Sequence, residues 1–337
     1  MVQTPGLREY ITLPQYREAL LLPAEVTETY RILAQGEYNR NYYFTHPITG
    51  KELLLRVNFG SQMHLTDQIA YEAHALELLS ESGRTPETLY VDGSLEHLPY
   101  GVMVMEYLPG RVLDYRTDMI LAAECLADIH SVPLPADHGL LIPDDPLKAI
   151  LEECEDMAKT YFDSPLGDEQ KKKKIRSMLD LGWEKYRSFP AEEMYRCCIN
   201  TELNNTNFLI NGTGKPNYLI DWEKPLYGEP AQDLGHFLAP TTTFWKTDVI
   251  LTEQEIENFL DIYLEKTAGR FDASAVRRRT YLYLPVTCLR GITWCAMAWV
   301  EYRQPDREIV NESTMRKLDA YLDNDFLEEI THYIKRN

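Results

Sequence analysis

The sequence has few of the residues that break or cross-link a chain: 17 Gly, 19 Pro and 6 Cys among 337 residues. So little glycine and proline excludes a collagen-like or low-complexity chain. The cysteines form no Cys-x-x-Cys pair, and no histidine stands at the spacing of a zinc ligand. We therefore expect reduced, mostly buried thiols and no metal bound to them.

Basic residues are also scarce, since 34 Lys and Arg oppose 53 Asp and Glu and give a net charge of −19. Such a charge repels phosphate backbones and anionic membrane surfaces, so we expect no nucleic-acid partner and no membrane partner. A negative cleft would favour a cationic ligand. The simpler interpretation is an acidic surface that aids solubility.

Two further segments bear on location. The stretch 1–10 has no basic segment followed by an apolar one, so we expect no signal peptide and a cytoplasmic protein. The longest apolar stretch, 282–300, contains Arg290 and several polar residues, which favours a buried helix over a membrane span.

The length predicts roughly two domains at about 150 residues each. Between Tyr30 and Val57, short β-favouring runs alternate with turn residues and predict a three-stranded antiparallel meander. A helix over 67–80 should follow, and then two strands near 88–92 and 101–107.

After Gly110 the pattern becomes helical, with predicted helices over 121–130, 146–160, 168–189 and much of 252–337. One hairpin interrupts them, in which the strands 208–210 and 217–220 flank Gly212-Thr-Gly214.

Four side chains near this hairpin carry oxygen or proton-transfer chemistry: Glu202, Asn207, Asp221 and Glu223. A carboxylate and an amide at the ends of adjoining strands offer hard oxygen ligands to Mg²⁺ and leave positions for phosphate oxygens and water. On composition alone, an asparagine-rich turn without chemistry is the simpler interpretation.

The order of the parts favours chemistry. A meander with Gly36 in its first turn, Arg56 on its third strand and Glu72 on the following helix precedes an apolar strand, a linker, the loop and the hairpin. These are the parts of a kinase in their usual order, with Glu72 able to pair with Arg56.

The stretch Asn200-Thr-Glu-Leu-Asn-Asn-Thr-Asn207 has the spacing of a kinase loop His-x-Asp-x-x-x-x-Asn, and Ile220-Asp-Trp222 matches the metal-binding strand that follows it. With Gly228-Glu-Pro-Ala-Gln-Asp-Leu234, the sequence over about residues 25–240 resembles the aminoglycoside phosphotransferase and choline kinase family. The resemblance implies an α+β, protein-kinase-like, two-lobed fold. It places a nucleotide-binding lobe at 1–107, a linker near 104–110 and a helical lobe with the loop, metal site and acceptor pocket at 108–337.

The same resemblance implies roles for single residues. Asp221 would be the principal Mg²⁺ ligand and Asn207 the second, on the phosphates of ATP or GTP. Arg56 stands where the family has lysine, and a guanidinium can still neutralise phosphate charge. Gly36 would let the first hairpin approach the phosphates, and the backbone from Glu106 to Leu108 would meet the adenine.

Glu202 replaces the family's aspartate as the base that accepts the proton of the substrate hydroxyl, and Asn200 replaces its histidine. Two hypotheses follow. The chain is a small-molecule kinase for a hydroxyl on an amino-containing acceptor, such as an aminoglycoside, a choline-like amine or an amino sugar. Alternatively it is a catalytically impaired nucleotide-binding or regulatory module. The sequence sets no oligomeric state.

Overall fold

The computed structural model describes residues 4–189, 194–304 and 312–336. Its helices are α1 Leu7–Tyr10, α2 Pro14–Ala19, α3 Gln68–Leu78, α4 Met119–His130, α5 Pro146–Asp163, α6 Glu169–Ser188, α7 Pro230–Leu238, α8 Pro240–Thr247, α9 Glu253–Thr267, α10 Val276–Glu301, α11 Glu312–Tyr321 and α12 Asn324–Arg336. Its strands are β1 Arg31–Gln35, β2 Asn39–Thr45, β3 Glu52–Asn58, β4 Thr88–Asp92, β5 Gly101–Glu106, β6 Arg111–Val112, β7 Cys197–Ile199, β8 Phe208–Ile210, β9 Tyr218–Leu219 and β10 Leu226–Gly228.

The chain forms two compact units. The first comprises Met1–Leu113, Asp128–Leu140 and Thr206–Pro225, and the second comprises Asp114–Ala127, Leu141–Asn205 and Leu226–Asn337. The first unit therefore draws on three stretches of the chain. The division into domains at 1–107 and 108–337 stays a prediction.

The first unit is built on an antiparallel sheet of strand order β1-β2-β3-β5-β4. The predicted meander and the two later strands are confirmed. In the central strand β3, Arg56 lies opposite Asn41 of β2 and Met103 of β5. A position between two paired strands gives its backbone little freedom, so the root of the Arg56 side chain is fixed by the ladder.

Helix α3 begins where the sequence predicts. The side chain of Asp67 caps it by accepting a hydrogen bond from the Ala70 N–H (3.0 Å). Its buried face carries Ile69, Ala73 and Leu76 at helical spacing, and Glu72 lies on the buried side as well.

The N-terminal helices α1 and α2 have no counterpart in the sequence prediction. They place Leu7, Tyr10 and Tyr16 in the same apolar core as Tyr42 and Leu55 of the sheet. Helices of four and six residues are too short to show a hydrophobic period, which is why the sequence gives no signal for them.

The predicted hairpin is confirmed as β8 and β9, which pair with each other and, through β8, with β6. The Ile220 N–H donates to the carbonyl of Asn207 (2.8 Å), so pairing continues past the end of β9. This register brings Asn207 and Asp221 to the same end of the hairpin.

The second unit is mainly helical and centres on α10, which packs against α5 and α7. Most residues of α10 between Leu282 and Val300 are buried, as predicted for that stretch. Among the residues described, no helix has the length and apolar character needed to cross a membrane. The predicted helical tail over 252–337 is helical in α9 to α12, and residues 305–311 and 337 lie outside the described part.

All six cysteines are buried and free, as expected for reduced structural thiols. Within the described ranges, no three or more His, Cys, Asp or Glu side chains converge as a set of metal ligands, so a metal ion bound here would need other donors as well.

Helices α7 and α10 approach closely at Gly235, where a Cβ would lie 2.3 Å from Tyr283 Cβ. We expect Gly235→Ala to lower the free energy of unfolding by about 2 kcal/mol, because overpacking of this contact outweighs the helix propensity of alanine. Urea denaturation measures the change.

The matched control is Gly36→Ala, since a Cβ at Gly36 meets only the Asn39 carbonyl oxygen, at 3.8 Å. It should change the free energy of unfolding by less than about 0.5 kcal/mol. Equal effects of the two substitutions would contradict the close helix contact.

Candidate active site

In the first unit, Arg56 extends from the central strand into a group of carboxylates. Its side chain is 8% exposed. The guanidinium forms an ion pair with Glu72, donates from Nε to Asn41 Oδ1 (3.1 Å) and lies 3.7 Å from Asp221 Oδ1. Burial on its own would lower the pKa of Arg56, but Glu72 and Asp221 outweigh burial and hold that pKa above its usual value.

Glu72 is the partner that the sequence suggested for Arg56, and the contact is made. Its side chain is 2% exposed, and its Oε2 is buried without a hydrogen-bond partner among the described residues. Burial raises the pKa of Glu72, and the attraction of Arg56 does not fully offset this effect. Burial therefore has more effect on the pKa of Glu72 than its ion pair with Arg56.

Asp221 follows β9 with φ at 69°, in the left-handed region that aspartate tolerates better than most residues. Its side chain is 48% exposed, unlike those of Arg56 and Glu72. A non-glycine residue held at positive φ is often found where a side chain has to point in one direction. Here the carboxylate is accessible while still facing a buried guanidinium.

Glu223 adds a third carboxylate, with Oε1 3.9 Å from Arg56 Nη1. The side-chain amide of Asn39 donates to it, and Gln68 of α3 donates to its backbone carbonyl (2.7 Å). Burial and then the charge of Asp221 raise the pKa of Glu223 to about 7.

Asn207 ends the short loop before β8 and is buried. Its Nδ2 approaches the carbonyl of Ile220 at 3.5 Å, directly before Asp221. The hairpin thus sets one amide and one carboxylate side by side, both with oxygen atoms of the kind that Mg²⁺ binds.

A divalent cation fits this part of the first unit on two observations. The carboxylates of Glu72, Asp221 and Glu223 all face the guanidinium of Arg56. In addition, Oε2 of Glu72 is buried without a hydrogen-bond partner in the described structure. Added positive charge would relieve both features. Asp221 and Asn207 are the oxygen donors best placed by the hairpin to hold it.

The other residues predicted to bind a nucleotide lie on the same sheet. Gly36 is in the β1–β2 turn, where its N–H donates to the Asn39 carbonyl (2.8 Å); its φ is not positive, so the turn itself does not require glycine. Glu106 ends β5, and Leu108 follows in an irregular segment. The Leu108 N–H makes no hydrogen bond to the residues described, which leaves a donor next to an apolar strand.

In the second unit, the loop that carries Glu202 has a strained backbone. Thr201 adopts φ of 73°, which is unfavourable for a β-branched residue. The carboxylate of Asp233, fully buried on α7, accepts hydrogen bonds from the N–H groups of Asn200 (2.8 Å) and Thr201 (2.7 Å). These two bonds fix the backbone of the loop directly before Glu202.

His236, one turn further along α7, contacts the Leu203 carbonyl through Nδ1 at 2.8 Å. Burial, and after it the positive charge of Arg290, lowers the pKa of His236. The neutral imidazole with its proton on Nδ1 is the form that donates to a carbonyl. Asp233 and His236 thus hold the main chain on both sides of Glu202.

The side chain of Glu202 is 41% exposed, and its Oε1 lies 3.4 Å from Arg290 Nη2. Arg290 also binds Glu153 of α5 at two points, from Nε to Oε2 (2.7 Å) and from Nη2 to Oε1 (3.1 Å). Burial would lower the pKa of Arg290, but Glu153 and Glu202 raise it above its usual value.

A cavity of about 290 Å³ adjoins this group within the second unit. Its polar lining includes the side chains of Glu153, Thr201, His236 and Arg290. Apolar residues such as Ile150 complete the wall. A cavity with an apolar wall and a few polar groups is the usual form of a small-molecule site.

Sequence reasoning missed Arg290 as part of this arrangement, although a single arginine inside the apolar stretch 282–300 is a signal that could have found it. Trp294, on the same helix as Arg290, is 40% exposed and makes an edge contact with Trp245.

The model of the phosphotransferase enzyme family matches residues 29–277. No curated protein matches the sequence significantly.

Several solved structures share the fold. A spectinomycin phosphotransferase in complex with ADP and spectinomycin has a TM-score of 0.65 and 14% identity over 100% of this chain and 99% of that chain. A choline kinase from Cryptosporidium parvum has a TM-score of 0.66 and 14% identity over 98% and 96%. A Plasmodium vivax ethanolamine kinase has a TM-score of 0.64 and 13% identity over 96% and 90%. The predicted two-lobed, kinase-like fold is confirmed.

The lowered pKa of His236 predicts a pH dependence of stability. As the pH falls below about 6.5, the unfolded chain takes up a proton that the folded chain excludes. This contribution to the free energy of unfolding is complete above that pH and is lost below it. We expect His236→Asn, which keeps a donor for the Leu203 carbonyl, to flatten the slope of stability between pH 7 and pH 5 in urea denaturation.

The control is His332→Asn, at an exposed position on α12, which should keep the slope of the wild type. Parallel slopes for the wild type and His236→Asn would show that His236 does not titrate as a buried neutral group.

Proposed function

The chain belongs to the phosphotransferase enzyme family, as the match over residues 29–277 shows, and we propose that it transfers the γ-phosphoryl group of ATP or GTP to a hydroxyl of a small amino-containing acceptor. The observation that carries this proposal is the group formed by Arg56, Glu72 and Asp221 in the first unit. In it, a buried guanidinium is fixed by a buried glutamate and faces an accessible carboxylate.

In this proposal the first unit binds the nucleotide. Arg56 neutralises phosphate charge, and Glu72 fixes its direction. Asp221 and Asn207 hold Mg²⁺, which supplies positive charge to the transferring phosphoryl group when it is bound. The backbone from Glu106, which ends β5, to Leu108 offers hydrogen bonds to the nucleobase, and the turn at Gly36 lies over the phosphates.

The second unit supplies the base. Glu202 accepts the proton of the acceptor hydroxyl as that oxygen attacks phosphorus, a role for which a carboxylate is competent. Asp233 and His236 keep its main chain in one conformation. The main chain at Glu202 is therefore fixed, although the side chain of Glu202 is one methylene longer than that of aspartate.

We assign the acceptor to the cavity lined by Glu153, Thr201 and Arg290. Its two nearby carboxylates, Glu153 and Glu202, give it the charge that an ammonium group prefers. The similar structures include a spectinomycin phosphotransferase, an ethanolamine kinase and a choline kinase, and spectinomycin, ethanolamine and choline are each amines or ammonium compounds that carry a hydroxyl. A cationic acceptor agrees with the acidic composition of the chain. We also propose a cytoplasmic location, which agrees with the six free thiols.

A second candidate is a nucleotide-binding module that has lost catalysis. Asn200 at the family's histidine position, together with Glu202 at its aspartate position, favours it. The two candidates share the nucleotide site and differ only in turnover.

Asp221→Asn should abolish the Mg²⁺-dependent part of nucleotide binding, because a neutral amide is a weaker ligand than a carboxylate. Isothermal titration calorimetry with ATP and with GTP, each with and without Mg²⁺, measures the loss. The control is Asp137→Asn, an exposed carboxylate of the first unit. Unchanged affinity in Asp221→Asn would remove Asp221 from the metal site.

Glu202→Gln should reduce kcat by about 100-fold or more, because the amide cannot accept the proton, while nucleotide binding stays unchanged. A coupled assay for ADP or GDP with spectinomycin, choline, ethanolamine and 1-amino-2-propanol measures turnover. Glu265→Gln, on an exposed face of α9, is the matched control. A wild-type protein that binds the nucleotide and turns over none of a wider amine panel would favour the second candidate.

A further inference from the structure

Arg290 places a charge at a position where its desolvation is unfavourable. It lies in the middle of the buried helix α10 with a side chain that is 24% exposed, and a largely buried guanidinium needs ionic partners. The two-point contact with Glu153 satisfies its Nε and one proton of Nη2. That pair alone would meet the need of the buried charge, yet Nη2 also reaches Glu202.

The side chain of Glu202 has its own requirement. A glutamate has one more rotatable bond than the aspartate of related loops, so a fixed main chain does not fix its carboxylate. A displacement of about 1 Å in a reacting group can cost roughly 100-fold in rate. The bonds from Asp233 and His236 described above go to the backbone of residues 200, 201 and 203 and not to the Glu202 carboxylate.

We propose that Arg290 is a positioning residue that holds the carboxylate of Glu202, and that Glu153 holds Arg290 in turn. This rests on the proposed role of Glu202 as the base. The two contacts of Arg290 differ in strength, and this difference supports the proposal. The two-point pair with Glu153 holds the guanidinium in one orientation. The single contact with Glu202, at 3.4 Å, is weaker and leaves the Glu202 carboxylate accessible to a hydroxyl. Lysine could not serve both carboxylates in this geometry, because it lacks the planar fork.

The first test is structural. Crystal structures of the wild type and of Arg290→Met, which keeps the apolar stem, should show the same main chain at 200–203. The carboxylate of Glu202 should move by more than about 1 Å or occupy several rotamers in the variant. Glu153 is 42% exposed and can be solvated without its partner, so the variant should fold. A Glu202 carboxylate in the same place in both structures would overturn the inference.

The second test is kinetic and uses the best acceptor of the panel, choline, ethanolamine, spectinomycin or 1-amino-2-propanol. Arg290→Met should lower kcat by about 10- to 100-fold with KM for the nucleotide unchanged, and Arg290→Lys should recover part of the loss. In a Glu202→Gln background the same change should have no further effect. A full additional loss in that background would show that Arg290 acts on something other than Glu202.

The matched control is Arg277→Met on the same helix, where Arg277 is also paired with two carboxylates, Glu257 and Asp261. It should leave kcat unchanged. Absence of turnover in the wild type would defeat the proposed function, and the crystal structures would still decide whether Arg290 places Glu202. The two failures are therefore distinguishable.

Discussion

The first unit depends on one buried guanidinium that faces more negative charge than it can neutralise. Arg56 is held by the strand ladder on both sides and by Glu72, while Asp221 and Glu223 approach it from the hairpin side. A buried ion pair adds little to stability by itself, since desolvation offsets much of the attraction. The group of carboxylates around Arg56 is the feature on which the proposed cation site at Asp221 and Asn207 rests.

In the second unit, the main constraint is the position of the Glu202 carboxylate on a strained loop. Asp233 stabilises the left-handed Thr201 by accepting two backbone hydrogen bonds. His236, as a neutral imidazole, holds the loop at the carbonyl of Leu203. Arg290 then contacts the side chain that the loop presents. The same arginine lowers the pKa of His236, so one buried charge influences both the loop and its support.

The position of these groups shows where part of the acidic excess behind the net charge of −19 lies. Acidic side chains occur in both sites, but in each they surround an arginine: Arg56 in the first unit and Arg290 in the second. The acidic composition is thus compatible with binding a polyanionic nucleotide, provided that a metal ion and Arg56 carry the positive charge at the phosphates. Around the cavity proposed for the acceptor, the same composition favours a cationic molecule.

The sequence alone determined the meander, helix α3, the long helices, the hairpin and the family, because each of these depends on local periodicity or on the spacing of a short motif. It also named Arg56 and Glu72 as partners, since their order along the chain matches a known pattern. Only the tertiary structure decided that Glu202 meets Arg290, 88 residues away, and that Glu153, 137 residues from Arg290, supports it. Contacts of that kind are set by how α5, α7 and α10 pack against one another, and no local pattern in the sequence encodes which side chains meet across a helix interface.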